Sequence, residues 1–234
     1  MKNGTKCYLV VALLTMLLGL IGQTTGPLAL TASAANAPAS PQSLVVGVQT
    51  FGATYGAWSA RWWQWLLSIP SAVNPNLDPT GANCDRGQKD NEDDVWFLAG
   101  TFGGDETRTC TIPAGKPIFF PLINSVAFKP TGGETLLDLR RLNARFIDTV
   151  SVLTCTIDGV ALKGLFNFRV RSPSFSVIAP PGALLQASAT DPMVSDGYWL
   201  LLSPVPAGSH VIEIHAETTG NFSLNVTYHL TIAR

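Results

Sequence analysis

The carboxyl-terminal stretch alternates strictly. Phe222, Leu224, Val226, Tyr228, Leu230 and Ile232 are apolar or aromatic, and Ser223, Asn225, Thr227, His229 and Thr231 between them are polar. A period of two is that of a strand with one buried and one wet face, as in an antiparallel sandwich. Shorter apolar or alternating runs predict further strands at Val95–Ala99, Thr107–Ile112, Ile118–Ile123, Val150–Ile157, Val160–Leu162, Phe166–Val170, Phe175–Ile178, Tyr198–Leu202 and His210–Glu217. Pro113-Ala-Gly-Lys116 supplies a turn, and Asp158-Gly159 joins two of the strands as a hairpin.

Helical periodicity occurs twice. From Tyr55 to Ile69, a spacing of 100° per residue gathers Tyr55, Trp58, Trp62, Trp65, Leu66 and Ile69 on one broad apolar arc. Ala57, Arg61, Gln64 and Ser68 fill the narrow opposite arc, and Trp63 and Leu67 lie on the flank, with Trp63 free of the core. Thr54 is placed to cap this helix and Pro70 to end it. Arg61 is placed to lie over Trp58 or Trp65. The second helix runs from Leu136 to about Thr149. Thr135 and Asp138 form its capping box, and Leu136, Leu139, Leu142 and Phe146 form its apolar stripe. Short strands joined by turns, with no helix after each strand, predict a mainly β protein. Its fold is an antiparallel β-sandwich or jelly roll, with the Trp-rich helix and one further helix packed on it. It forms a single domain over residues 38–234.

The amino end changes the picture. Lys2 and Lys6 precede an apolar run from Tyr8 to Ile21, and the small-residue stretch Ala32-Ser-Ala-Ala-Asn-Ala37 follows. This is the order of a secretory signal peptide, with cleavage after Ala34 or Ala37 and a Pro- and Ser-containing linker over 35–43. The apolar run is shorter than the ~20 residues of a spanning helix. Removing Lys2 and Lys6 from 15 basic residues leaves 13 against 16 acidic ones, a net charge near −3. That balance excludes a nucleic-acid partner, which requires a basic footprint. Cys84, Cys110 and Cys155 remain after processing. Cys84 and Cys110 lie in polar surroundings and are the expected disulfide of an oxidising compartment. Cys155 shares a strand face with Leu153 and Ile157 and is expected to be free and buried.

Several segments resemble a family of secreted bacterial proteins that has no assigned activity. They are Trp58-Ser-Ala-Arg-Trp-Trp-Gln-Trp65 with Ser68-Ile-Pro70, Thr80-Gly-Ala-Asn-Cys84 and Val95-Trp-Phe-Leu-Ala-Gly-Thr-Phe-Gly-Gly104. Cys110-Thr-Ile-Pro-Ala-Gly-Lys-Pro-Ile-Phe-Phe-Pro-Leu-Ile-Asn124, Asp196-Gly-Tyr-Trp-Leu200 and Pro206-Ala-Gly-Ser-His210 are similar as well. The resemblance implies a shared fold and export. It brings no site residues.

Candidate chemistry is sparse. There is no Gly-x-Ser-x-Gly elbow, no His-Glu-x-x-His and no Cys-x-x-Cys. Ser195, Asp196 and Ser203 stand near the three histidines His210, His215 and His229 in sequence, but no spacing selects a triad. Glu213 and His215 share a strand face. With His229 on a neighbouring strand they form a candidate transition-metal set, although ordinary outward polar residues account for them more simply. The run Asp90-Asn-Glu92-Asp93-Asp94 carries oxygen ligands suited to Ca²⁺ without the spaced pattern of a calcium loop. Trp63, Arg61 and Trp199 are the candidate ligand contacts, since exposed indole faces stack on sugar rings. Core packing remains the first account of most tryptophans here. The expected function is that of a secreted or periplasmic non-catalytic module that binds a glycan, a cell-wall polymer or a protein. The alternative is a secreted hydrolase or metalloenzyme using the carboxyl-terminal His and Glu residues. Amino-terminal sequencing of the exported protein is expected to begin near Ala35 or Pro38; recovery of membrane-bound chain beginning at Met1 refutes cleavage.

Overall fold

Two sheets pack face to face, and a helix covers the face that the smaller one turns away from the other. This computed structural model describes residues 40–45, 49–88, 95–128, 135–185 and 191–234. The export segment and Asp90, Glu92, Asp93 and Asp94 lie outside the described residues. In chain order come α1 (Pro41–Leu44), β1 (Gln49–Thr50), β2 (Ala53–Thr54), α2 (Tyr55–Leu67), β3 (Trp96–Phe97), β4 (Gly104–Ile112) and β5 (Ile118–Phe128). They are followed by α3 (Leu136–Ile147), β6 (Val150–Ile157), β7 (Val160–Ala161), β8 (Arg169–Arg171), β9 (Met193–Leu202), β10 (Gly208–Thr218) and β11 (Ser223–Ile232).

One sheet has the order β4-β11-β10-β6-β7 and the other β3-β5-β9-β8. Most neighbours are antiparallel, but β4 joins β11 and β3 joins β5 in parallel, each at the edge of its sheet. The protein is therefore mainly β and sandwich-like, with mixed rather than purely antiparallel sheets. The inner faces meet in one core: Ile118, Phe120, Ile123, Tyr198, Leu200 and Leu202 pack toward Ile112, Cys155, Ile157, Ile212, Val226, Leu230 and Ile232. The opposite face of the smaller sheet presents Phe119, Trp199 and Leu201 to Tyr55, Trp58, Trp62 and Leu66 of α2. That makes three layers: helix, small sheet, large sheet.

Double-sided burial explains where the strand expectations fell short. Every residue of β9 is buried, so its sequence has no alternation until Tyr198, and the strand begins five residues earlier, at Met193. Phe166–Val170 is instead a turn of 3₁₀ helix over Leu165–Phe168 leading into β8, and Phe175 makes only a single bridge to Met193.

The helices follow their caps. Thr54 accepts from the Ala57 amide, and Thr135 and Asp138 cap α3 reciprocally. Ala57, Arg61, Gln64 and Ser68 form the least buried arc of α2, as the pattern predicts. Arg61 lies 4.6 Å over the Trp58 ring. The flank is different: Leu67 is fully buried and Trp63 is only 6% exposed, so Trp63 is not free of the core. The stripe of α3 is also re-phased. Leu136 and Leu142 are exposed, and the buried face is Leu139, Asn143 and Ile147. Asn143 holds that face down by donating to the Val194 carbonyl and accepting from the Ser125 hydroxyl. A satisfied polar residue can occupy a helix's inward face, and an apolar stripe does not reveal it.

The loop from Asn74 to Gln88 is stitched onto β4. Cys84 and Cys110 form the expected disulfide. The Thr109 amide donates to the Thr80 carbonyl. Gly81, at φ +86°, lies so close to Thr109 that a Cβ would fall 2.3 Å from its carbonyl oxygen. Cys155 is free and buried, and burial pushes its thiol up to about 12. Among the described residues, no helix is long and apolar enough to cross a membrane.

Trp62 is 1% exposed, donates its indole N–H to the Leu98 carbonyl at 2.8 Å and packs edge-on against Trp199. Trp62→Ala is expected to cost about 3–5 kcal/mol in a denaturant melt. Ser68→Ala, on the exposed arc, is expected to stay within about 0.5 kcal/mol. Equal melts for the two variants contradict the load assigned to α2.

Candidate functional site

A cavity of about 350 Å³ lies at the open edge of β5. β3 pairs with β5 only at Ile118 and Phe119. Beyond them, that edge of β5 has no strand partner among the described residues. Trp62, Trp63 and Leu67 of α2 wall one side, Phe146 of α3 and Phe222 another, with Phe102, Leu184 and Leu185 around them. Asn76, Thr101, Asn124 and Ser125 supply the polar part of the lining, and among the described residues no charged side chain takes part. Phe102 is 60% exposed, an aromatic ring in water at the rim of an apolar hollow.

A bulge in β5 places Asn124. Pro121 faces Trp199 and Ile123 faces Tyr198, so Leu122 is an extra residue in the strand. Before the bulge Phe119 points to the α2 side; after it the parity flips, and Asn124, Val126 and Phe128 point there. Opposite Asn124 stands Gly197, where a Cβ would come within 2.7 Å of the Asn124 Cβ. Only glycine leaves Asn124 its room.

Asn76 is placed by a buried cation. Arg108 is 1% exposed. Its Nε donates to the Asp78 carbonyl at 2.7 Å, its Nη1 to the Gly100 carbonyl at 2.6 Å and the Tyr228 hydroxyl at 3.2 Å, and its Nη2 to the Asn76 carbonyl at 3.5 Å. Tyr228 passes the bond on to the Ala99 carbonyl. Burial raises the Tyr228 phenol, with Arg108 working against it. The guanidinium thus holds the Asn76–Asp78 loop and the Ala99–Gly100 turn on the sheet, and both carry cavity residues. Asp78 closes its own loop. Burial pushes its carboxyl up, but hydrogen bonds from Thr80, Asn83 and Gly81 outweigh this and hold it below the usual 3.8.

Three residues of the lining each carry a buried polar atom with no hydrogen-bond partner among the described residues, Trp63 Nε1, Asn76 Oδ1 and Asn124 Nδ2; these atoms are sealed from solvent and do not open onto the hollow. Trp63 and Asn76 are 6% and 5% exposed. Other helix indoles are satisfied by carbonyls, Trp62 by Leu98 and Trp65 by Arg86. Trp96 and Trp199 also bury an unpaired N–H, but neither lines this cavity.

The residues singled out from sequence separate. Trp63 reaches the cavity. Arg61 lies over Trp58, and Trp199 is fully buried, stacked on Phe119. Glu213 accepts from Thr156, while His215 bonds Asn225 and Glu217. His229 pairs with Val211 in the register that sets His215 against Asn225, four residues along β11. At ~3.4 Å per residue the two imidazoles stand more than 10 Å apart along the strand, and Glu213, His215 and His229 do not converge. Among the described residues no His, Cys, Asp and Glu group suits a metal ion. Asp196 is buried and held by Arg169 and Arg171, Ser195 pairs with Ser59, and Ser203 donates to the Leu44 carbonyl. His210 is engaged by Asp158 and the Pro206 carbonyl. The residues missed from sequence are Asn76, Arg108 and Asn124. Arg108 alone left a signal, being in phase with Cys110 and Ile112 on the inward face of β4.

No family model matches the chain, and no curated protein matches it. Among solved structures the chain is similar to PbICP-C, seen in complex with falcipain-2, at 8% identity, covering 56% of this chain and 90% of that one, with a TM-score of 0.22. It is similar to EhICP2, the cysteine protease inhibitor from Entamoeba histolytica, at 12% identity over 56% and 87% of the two chains, TM-score 0.22. Amebosin follows at 14% identity over 53% and 95%, TM-score 0.14. Likeness at this level carries no inference about function.

Asp78 gives the site a pH signature. A depressed carboxyl contributes stability that is fully present above the unfolded value near 3.8 and is lost as pH falls through the lower folded value. Asp78→Asn is expected to cost about 1–3 kcal/mol at pH 7 and to lose stability less steeply than the parent between pH 5 and 2. Parallel slopes in denaturant melts across that range contradict the assignment.

Proposed function

We propose that this chain is an exported binding protein that captures a small, largely apolar molecule in the cavity at the open edge of β5. The observation that carries the reading is a largely apolar, aromatic-walled hollow beside a strand edge that has no strand partner among the described residues. The volume of the hollow falls within the 300–1,000 Å³ usual for small-molecule sites. Export is supported by the amino-terminal pattern and by the disulfide, a bond that persists in oxidising compartments.

The reading differs from polymer recognition for a physical reason. All six tryptophans are buried, so none offers an exposed face on which a sugar ring can stack. A hydrolase or metalloenzyme built on the carboxyl-terminal residues requires Glu213, His215 and His229 together, and the strand register keeps His229 away.

Titration with N-phenyl-1-naphthylamine, a neutral fluorescent amphiphile, tests the proposal. Saturable binding at one site per chain is expected, weakened about tenfold or more by Leu185→Trp, which fills the cavity, with the melting temperature unchanged. Absence of saturable binding, or equal binding by the folded variant, overturns it.

A further inference from the structure

Phe102 stands where the hollow meets solvent, and there a tied backbone carries an unpacked ring. The residue lines the hollow and is 60% exposed. Other rings of the lining are paired: Trp62 and Trp63 stand edge-on at 5.0 Å, and Phe146 and Phe222 at 5.4 Å. Among the described residues Phe102 has no such ring partner. Its backbone, by contrast, is held on both sides. The Gly100 carbonyl accepts from Arg108, and the Thr101 hydroxyl donates to the Gly103 carbonyl at 3.0 Å, bracketing Phe102 between them. Gly103 and Gly104 follow at φ +111° and +80°, values that glycine adopts at little cost. A Cβ on Gly103 would fall 3.1 Å from Phe222 Cε2, so the loop lies directly against another ring of the lining. Exposed side chains change rotamer in picoseconds to nanoseconds. The Phe102 ring therefore turns about its own side-chain bonds while the loop that carries it stays on the sheet.

Resting on the reading of the cavity as a binding site, we infer that Phe102 is its lid, an aromatic ring that turns inward over a bound apolar ligand and sets how long the ligand stays. The driving force is hydrophobic. A ligand seated in an open hollow leaves its outer side in water, and so does the exposed ring beside it; closing one on the other removes both areas from water together. The sheets and α2 need not move. Because the ring turns much faster than a ligand arrives, the lid leaves entry nearly unhindered. Release takes place only from the open form, so its rate falls in proportion to the closed population. An exposed ring contributes little to the core, and its removal therefore spares the fold while shortening the residence of the ligand.

Stopped-flow fluorescence with N-phenyl-1-naphthylamine tests the lid on the full chain. Phe102→Ala is expected to melt at the parent temperature, to bind the probe at a rate within about twofold of the parent, and to release it about tenfold faster. Ile178→Ala, which removes a side chain that is 75% exposed and outside the lining, is expected to release it at the parent rate. A second measurement keeps the ring in place. In protein carrying 4-fluorophenylalanine, the ¹⁹F resonance that Phe102→Leu removes should be broadened by a water-soluble gadolinium chelate, and less so once the probe saturates the site. Unchanged release from Phe102→Ala, equal acceleration in Ile178→Ala, or a Phe102 resonance as open to the chelate with the probe as without it overturns the lid and leaves the hollow as an open site. Absence of saturable probe binding by the parent chain removes the cavity reading and the lid together.

Discussion

The guanidinium of Arg108 is the constraint on which the arrangement around the cavity depends. Taking a cation out of water costs several kcal/mol unless its donors are met, and here three backbone carbonyls and a phenol meet them. Those acceptors belong to segments far apart in sequence: the loop at Asn76 and Asp78, the turn at Gly100, and Tyr228 on β11. Moving any of them exposes a buried charge to an unmet bond, so the loops cannot drift independently of the large sheet. The disulfide at Cys110, two residues along the same face of β4, fastens the same loop a second time. A long irregular segment thereby becomes a fixed wall able to hold Asn76 and Phe102 beside the small sheet.

The small sheet is unusual in being covered on both faces, and the cavity follows from that. Its β9 is buried throughout, α2 takes one face and the large sheet with α3 takes the other. The edge of β5 beyond β3 is without a strand partner among the described residues. An unpaired strand edge exposes donors and acceptors that proteins normally cover. Aromatic side chains from α2, α3 and the residue before β11 gather around this edge. The bulge at Leu122 turns an amide toward the helix side there, where strict alternation would have turned it toward the large sheet. Fold and candidate site are thus one consequence: the helix that completes the layer also supplies the indole that lines the hollow.

Much of the architecture was legible because it rests on interactions between residues near in sequence. The alternation of β11, the Asp158-Gly159 hairpin, the Thr135–Asp138 box and the narrow polar arc of α2 all depend on period, cap and turn, which a single segment carries by itself. The placement of Cys155 beside Leu153 and Ile157 followed from alternation in the same way. So did the surface character of Glu213 and His215, which is why a metal site there was the less economical reading.

The sequence by itself determined a mainly β chain with two helices, their caps and turns, and the cysteines that would meet in an oxidising compartment. The tertiary structure alone decided which faces are covered. It brought Trp63 under cover on a flank that helical phase leaves open, and it turned Asn143 inward in place of Leu142. It buried Arg108, and it re-phased β5 so that Asn124 joins Asn76 in lining a hollow. The physical reason is the same in each case. A periodic pattern records what a segment prefers to hide, whereas burial, bulge and unpaired amide are set by partners that arrive from elsewhere in the chain.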